Sequence, residues 1–203
     1  MVVRRGVGAG GIIRFRARGA VLAVAGATAL AIGLASCGGG TTAVQSMPCP
    51  EVKVIPDAGY LTKFAGDSED LTDTLYEAKI AVGNQMCHYI VQKDTEKTTI
   101  STDLQIQLMA SRGPKLTADK ADISYKVSVT GPGGSHVGDP KWTNSFGVTV
   151  PLTKDKPSNV IVDAPSVTIP LAGKNENGDF YRIYVYLQLT EKELAYNRRN
   201  PHQ

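Results

Sequence analysis

From residue 51 to residue 189 the apolar side chains recur at every second position and rarely at helical spacing. Ile123, Tyr125, Val127 and Val129 alternate with Asp122, Ser124, Lys126 and Ser128. Successive side chains of a strand point to opposite faces, so this pattern buries one side only as a half-covered β-strand. Ile100, Leu104, Ile106, Leu108 and Ala110 share one parity, as do Tyr76, Ala78, Ile80 and Val82, and Phe146, Val148 and Val150. Glu51–Ile55, Met86–Gln92, Asn159–Val162, Val167–Ile169 and Phe180–Leu189 complete the expected strands. Turn residues separate the runs at Gly83-Asn84, Arg112-Gly113-Pro114, Gly131-Pro132-Gly133-Gly134, Lys156-Pro157-Ser158 and Asn177-Gly178. The last reads as a type I′ hairpin, whose two central positions need positive φ. Leu116–Lys120 is expected to form a helical turn and Glu191–Asn197 a short helix. Around eight strands at near-regular spacing predict an all-β, antiparallel two-sheet sandwich, immunoglobulin-like in broad outline. A small closed β-barrel is the alternative.

The start of the chain follows other rules. Arg4, Arg5, Arg14, Arg16 and Arg18 precede 14 apolar residues, Ala20 to Gly33, with no acid among them. A spanning helix needs about 20 apolar residues, so this stretch has the length of a signal-peptide core. Leu34-Ala35-Ser36-Cys37 closes it, followed by Gly38-Gly39-Gly40. These residues resemble a bacterial lipobox, and the chain resembles a lipoprotein precursor. The resemblance implies a signal peptide over 1–36, cleavage before Cys37 and lipidation (palmitate among the acyl chains) of that cysteine. A signal cleaved near Ala35 or Ser36, leaving Cys37 free, is the alternative. Twin-arginine export at Arg4-Arg5 lacks the hydrophobic residues that should follow the pair. Three acyl chains at roughly 0.8 kcal/mol per buried methylene make a lasting membrane anchor. Gly38 in place of Asp after the cysteine points to the periplasmic face of the outer membrane, with the inner membrane as alternative. Residues 38–48, GGGTTAVQSMP, read as a flexible tether reaching at most about 40 Å.

The signal peptide also carries the apparent basicity. The whole chain is net +3, but five of its 22 basic residues and none of its 19 acids lie in residues 1–36. The remainder holds 17 basic against 19 acidic residues, without the basic stripe of a nucleic-acid binder. Cys49 and Cys87 are left as a pair for an oxidising compartment. Bridging them closes a 39-residue loop, which chain entropy values at about 4 kcal/mol. Cys49 sits between Pro48 and Pro50, which suits a rigid staple; two free thiols or a redox pair are the alternatives. Residues 49–190 then form one β-sandwich domain, followed by a tail over 191–203 that is either frayed or in contact with peptidoglycan, headgroups or a protein.

Catalytic signatures are absent from the sequence: no H-E-x-x-H, G-x-S-x-G, phosphate loop or dinucleotide fingerprint. The three histidines, His88, His136 and His202, fall in a strand, a glycine-rich turn and the terminal tail. Gly131–His136, GPGGSH, is not followed by the helix a phosphate loop requires. Asp67, Glu69, Asp70 and Asp73 offer oxygen ligands for calcium but lack the D-x-D-x-D-G spacing, so capping or solvation is the preferred reading. Lys174–Asp179 raises the same question, and a hairpin accounts for it. No cofactor and no metal site are expected. Trp142, the only tryptophan, is expected inside the sandwich. The interaction signal lies in the last strand. Tyr181, Ile183, Val185, Leu187 and Leu189 form its buried face, leaving Phe180, Arg182, Tyr184, Tyr186 and Gln188 opposite. Aromatic side chains beside arginine are enriched at interface centres, so Phe180, Arg182, Tyr184 and Tyr186 are the candidate partner-binding residues.

Cys49-Pro50 with Val52 and Ile55, Asp57-Ala58 through Leu61-Thr62 and Phe64, and Asp70-Leu71-Thr72-Asp73 before Glu77-Ala78 and Cys87 resemble a family of proteobacterial envelope lipoproteins of unassigned activity. The resemblance, strongest over residues 34–90, implies a periplasm-facing lipoprotein without catalytic residues and supplies no reaction. The expectation is a non-catalytic binding or scaffold domain in envelope assembly or integrity, anchored through Cys37, with a protein partner and no nucleic acid. The alternative is a periplasmic carrier of a small ligand or lipid inside the β-sheets.

Overall fold

The computed structural model describes residues 47–92, 97–136, 139–173 and 175–201. The signal peptide, the lipobox, Cys37, Lys174 and His202 lie outside the described residues. Nine strands follow one another: β1 (Glu51–Val54), β2 (Tyr60–Phe64), β3 (Thr74–Val91), β4 (Thr98–Arg112), β5 (Lys120–Thr130), β6 (Thr143–Pro151), β7 (Ser158–Asp163), β8 (Ser166–Pro170) and β9 (Arg182–Leu187). Among the described residues there is one α-helix, α1 (Glu191–Arg199), which follows β9. One sheet has the order β1-β9-β5-β6. The other runs β2-β3-β4-β7, with β8 also paired to β4. All pairings are antiparallel except β1 with β9, the first strand lying parallel to the last. The sheets pack face to face and do not close on each other, which makes the fold a sandwich and not a barrel.

The period-two pattern sets which side is buried. β5 turns Ala121, Ile123, Tyr125, Val127 and Val129 inward; β9 buries Ile183, Val185 and Leu187. β4 answers from the opposite sheet with Ile100, Leu104, Ile106, Leu108 and Ala110, and all these side chains form one core. Each fully buried Ile or Leu contributes roughly 1.5–3 kcal/mol of transfer energy. Tyr125 is fully covered, and its hydroxyl donates across the sandwich to Asp163 at 2.7 Å. Burial, then this bond, pushes its pKa far up.

Four local expectations are corrected. Gly83-Asn84 is not a turn: β3 runs unbroken through it, with two residues set against Gln105 alone on β4. This is a β-bulge, and it reverses the inward parity from Ala78 and Ile80 to Cys87 and Tyr89. Glycine inside a strand pattern marks a bulge as readily as a turn. Asn177-Gly178 is not a hairpin, because β8 and β9 belong to different sheets. Asn177 is extended at φ −142° and its side chain caps Asp179 N–H at 2.9 Å. Gly178 is needed for close approach instead, since a Cβ there would lie 2.2 Å from the Pro48 carbonyl oxygen. Leu116–Lys120 forms no helical turn. The Arg112 guanidinium, which donates to the Leu116, Ala118 and Leu152 carbonyls, takes the oxygens that helical amides would use. Trp142 packs against the core from the turn before β6 but is only half-buried, and it stacks on His136 with ring centres 4.1 Å apart.

The two ends of the sandwich are closed differently. At the end where the chain enters, Cys49 is bonded to Cys87 on β3 with a Cα separation of 5.8 Å. There the Tyr89 hydroxyl donates to the Pro48 carbonyl at 2.6 Å and accepts the Gly178 N–H at 2.7 Å. At the far end α1 lies against β2. Thr190 and Glu193 cap it reciprocally. The buried Asn197 donates to the Asp57 and Tyr60 carbonyls, both at 2.8 Å. Tyr196 meets Phe64 edge-on at 5.2 Å. The segment from 191 is therefore a docked helix through Arg199.

Candidate partner-binding face

Three of the four residues singled out on the last strand stand in one row on the outer side of β9. Arg182, Tyr184 and Tyr186 are each half-buried, while the intervening side chains fill the core. Phe180 does not belong to the row. It sits in the short turn Gly178–Phe180 before β9 begins, and is exposed there. The strand starts later than the alternation suggests because Gly178 packs on the entering chain and the turn closes through Tyr181 N–H to the Gly178 carbonyl.

Neighbouring strands complete the face. β1 sets Glu51 beside Arg182 and Lys53 beside Tyr184. β5 sets Thr130, Ser128 and Lys126 opposite Arg182, Tyr184 and Tyr186. β6 adds Thr143 and Ser145 outside these, with Ser128 Oγ and Thr143 Oγ1 2.9 Å apart. Arg182 is held in place: its Nε lies 2.9 Å from Glu51 Oε2, and its Nη1 donates to the Asp179 carbonyl at 3.1 Å. Glu51 also meets Lys53 at 3.0 Å. Tyr186 borders a surface hollow of about 170 Å³ with Ala58, Lys126 and Leu194, and its partial burial raises the phenol pKa. The result is a shallow surface with two tyrosine rings at its centre and Arg182, Lys53 and Lys126 around them. Such a surface presents broad apolar contact with polar ends, suited to binding.

Sequence reasoning found the row but not its setting. Glu51 and Lys53 belong to the face only because β1 lies parallel to β9, a pairing of residues more than a hundred positions apart. The outward charges of Glu51-Val52-Lys53-Val54 were visible; their neighbour was not.

The other candidates are dispersed. His88 is exposed on the outer side of β3, opposite Ser101. His136 is occupied by Trp142. The carboxylates of the acidic loop diverge to separate partners. Asp67 pairs with Lys192 at 3.1 Å, Glu69 with Arg199 at 2.7 Å and Asp73 with Lys115 at 3.5 Å. Asp70 accepts Thr72 N–H and hydroxyl at 2.9 Å, which holds its carboxyl below the usual range. Among the described residues no three His, Cys, Asp or Glu side chains are grouped to hold a metal ion. Glu176 accepts the Tyr181 hydroxyl at 2.7 Å and Ala172 N–H at 2.9 Å. Burial and then Glu176 push the Tyr181 phenol up to about 12. Between the sheets the space is filled by Tyr125, Leu104, Ile106, Ile123, Ile183 and Leu187.

Comparison of the chain with protein-family models, with curated proteins and with solved structures finds no match.

Proposed function

We propose that this chain is a lipid-anchored, non-catalytic binding or scaffold domain of the bacterial envelope. Cys37 holds it at the periplasmic face of the outer membrane, and the outer face of β9 engages an envelope protein. The observation that carries the binding reading is the row Arg182, Tyr184 and Tyr186, half-exposed on β9 with the arginine paired to Glu51. Rings whose backbone is already ordered in a paired strand lose less entropy on association. The lipobox and the oxidised Cys49–Cys87 pair support an extracytoplasmic compartment. The carrier reading draws no support from an interior filled with side chains.

Two comparisons test the parts separately. Crosslinking of envelopes followed by purification should recover a defined partner with wild type and lose most of it with Tyr184→Ala/Tyr186→Ala. Equal recovery would remove the β9 face from the proposal. Cys37→Ala should release the protein into the soluble periplasm, and continued membrane association would place the anchor elsewhere.

A further inference from the structure

Eight large apolar side chains of the described residues are exposed: Leu71 before β3, Met86 on β3, Val160 and Val162 on β7, and four that fall at one end of the sandwich. Met47 is 58% exposed, Ile90 52%, Val91 60% and Phe180 49%, and all four belong to the end at which the chain enters. Each lies within two residues, along the chain, of a member of one hydrogen-bonded node. Tyr89, whose hydroxyl joins the Pro48 carbonyl to Gly178 N–H, is the chain neighbour of Ile90. Met47 adjoins Pro48, and Phe180 closes the turn that Gly178 opens. Val91 has the inward parity of Cys87 and Tyr89, yet it is exposed because β3 has run past the end of the core. The stacked pair His136–Trp142 lies on the β5–β6 connection, which leaves β5 where Thr130 pairs with Arg182, and so belongs to the same end.

We infer that this end of the sandwich is a lipid-contacting surface, seated on the membrane to which Cys37 is anchored. The inference rests on the anchoring proposed above. From Cys37 to Met47 the chain spans at most about 36 Å. Residues 38–46 carry no charge, so nothing in the tether resists the interfacial region. The tether enters the fold in the middle of the apolar group. The tether therefore keeps this end within about 36 Å of the anchor. Charge does not drive the contact: the described ionisable residues at this end, Lys97, Lys141, Arg182, Glu51, Asp139, Glu176 and Asp179, carry no basic surplus. Seating is by apolar insertion into the headgroup boundary, where aromatic and aliphatic side chains partition favourably.

Trp142 provides the readout, being the only tryptophan of the chain. The acylated full protein is reconstituted into phosphatidylcholine vesicles containing lipids brominated near the headgroup. Trp142 emission should be quenched about twofold or more, and high salt should leave the quenching unchanged. Ile90→Asp/Val91→Asp, at exposed positions that bear no core contact, should abolish the quenching while the protein stays vesicle-bound and keeps its circular dichroism. Unquenched Trp142 in an acylated, vesicle-bound wild type would overturn the inference and leave the anchoring intact. A photo-crosslinker at position 91 that captures a protein instead of lipid in intact envelopes would overturn it as well. Absence of acyl groups on Cys37 by mass spectrometry would defeat the anchoring, and the lipid surface with it.

Discussion

The entry end of the sandwich is closed by a covalent bond, a tyrosine hydroxyl between two backbone groups and a glycine packed against the chain. The far end is closed by charge: the Arg112 guanidinium on three carbonyls, and α1 with Lys63–Glu193, Lys192–Asp67, Arg198–Asp57 and Arg199–Glu69. Each end also needs one glycine for want of room. A Cβ at Gly178 would meet the Pro48 oxygen at 2.2 Å, and one at Gly113 the Thr74 oxygen at 2.3 Å. The same geometric problem, bringing loops of two sheets together, is thus solved once by a crosslink and once by electrostatics. The first solution leaves Met47, Ile90, Val91 and Phe180 exposed. The second is wrapped in solvated charges.

Breaking the crosslink should have the largest effect. The bond closes a 39-residue loop, so Cys87→Ser, or reduction of the native protein, should cost about 4 kcal/mol. For a domain of roughly 150 residues that lowers Tm by about 10 °C, measurable by thermal unfolding with and without reductant. A loss under about 1 kcal/mol would mean that Tyr89, the Gln85 amide donating to the Pro50 carbonyl at 3.0 Å, and the packing of Gly178 already hold the entry segment without it.

Arg112 is the counterpart at the other end. Its side chain is only 10% exposed, and its guanidinium serves the Leu116, Ala118 and Leu152 carbonyls. Arg112→Met keeps the aliphatic stem and strands those oxygens. We expect a loss of about 3 kcal/mol in denaturant unfolding, with m unchanged. The exposed partner Asp119, 3.5 Å away, should matter far less, with Asp119→Asn under about 1 kcal/mol. If Arg112→Met cost more than Cys87→Ser, charge and not the disulfide would be the stronger closure.

These closures also mark where the sequence was readable. Local periodicity sufficed for the two-sheet fold, for the buried rows of β4, β5 and β9, and for the helix after Thr190, because each depends on neighbours in the chain. The pairing of Cys49 with Cys87 was readable from the count once Cys37 was set aside. The bulge at Gly83-Asn84 was missed because a turn and a bulge ask for the same residue types, and only the partner strand separates them. Asn177-Gly178 misled for a related reason: glycine was read as positive φ when the constraint came from Pro48, more than a hundred residues earlier. Phe180 left the candidate face with it, since parity holds only where the strand has begun. In the acidic loop capping was readable, as Asp70 on the Thr72 N–H shows, but the tertiary partners were not. Its carboxylates meet Lys192 and Arg199 of α1, a contact that no local pattern encodes.

The smallest effects should separate the ends by salt and not by acid. At the far end Glu193 is held below the usual carboxylate range. Burial works against this, but the Lys63 ammonium at 2.8 Å and the Thr190 N–H and hydroxyl outweigh it. At the entry end Glu176 is also lowered, chiefly by the Tyr181 hydroxyl and then by Ala172 N–H. Because both folded values lie below the ordinary one, near 4.5, both carboxylates contribute fully above about pH 5. Both contributions fade as pH falls through the folded values, so acid should loosen α1 and the 172–181 turn alike. Salt should not. Glu176 is bonded by neutral donors, whereas α1 relies on pairs with exposed members that are worth under about 1 kcal/mol each and are screened by ions. Hydrogen exchange at pH 7 in high salt should therefore speed up a few-fold at the Leu194 and Asn200 amides and stay constant at Gly178 and Tyr181. Equal acceleration at both sites would show that the ion pairs do not hold the helix, and would leave Asn197 and the Phe64–Tyr196 contact as its attachment.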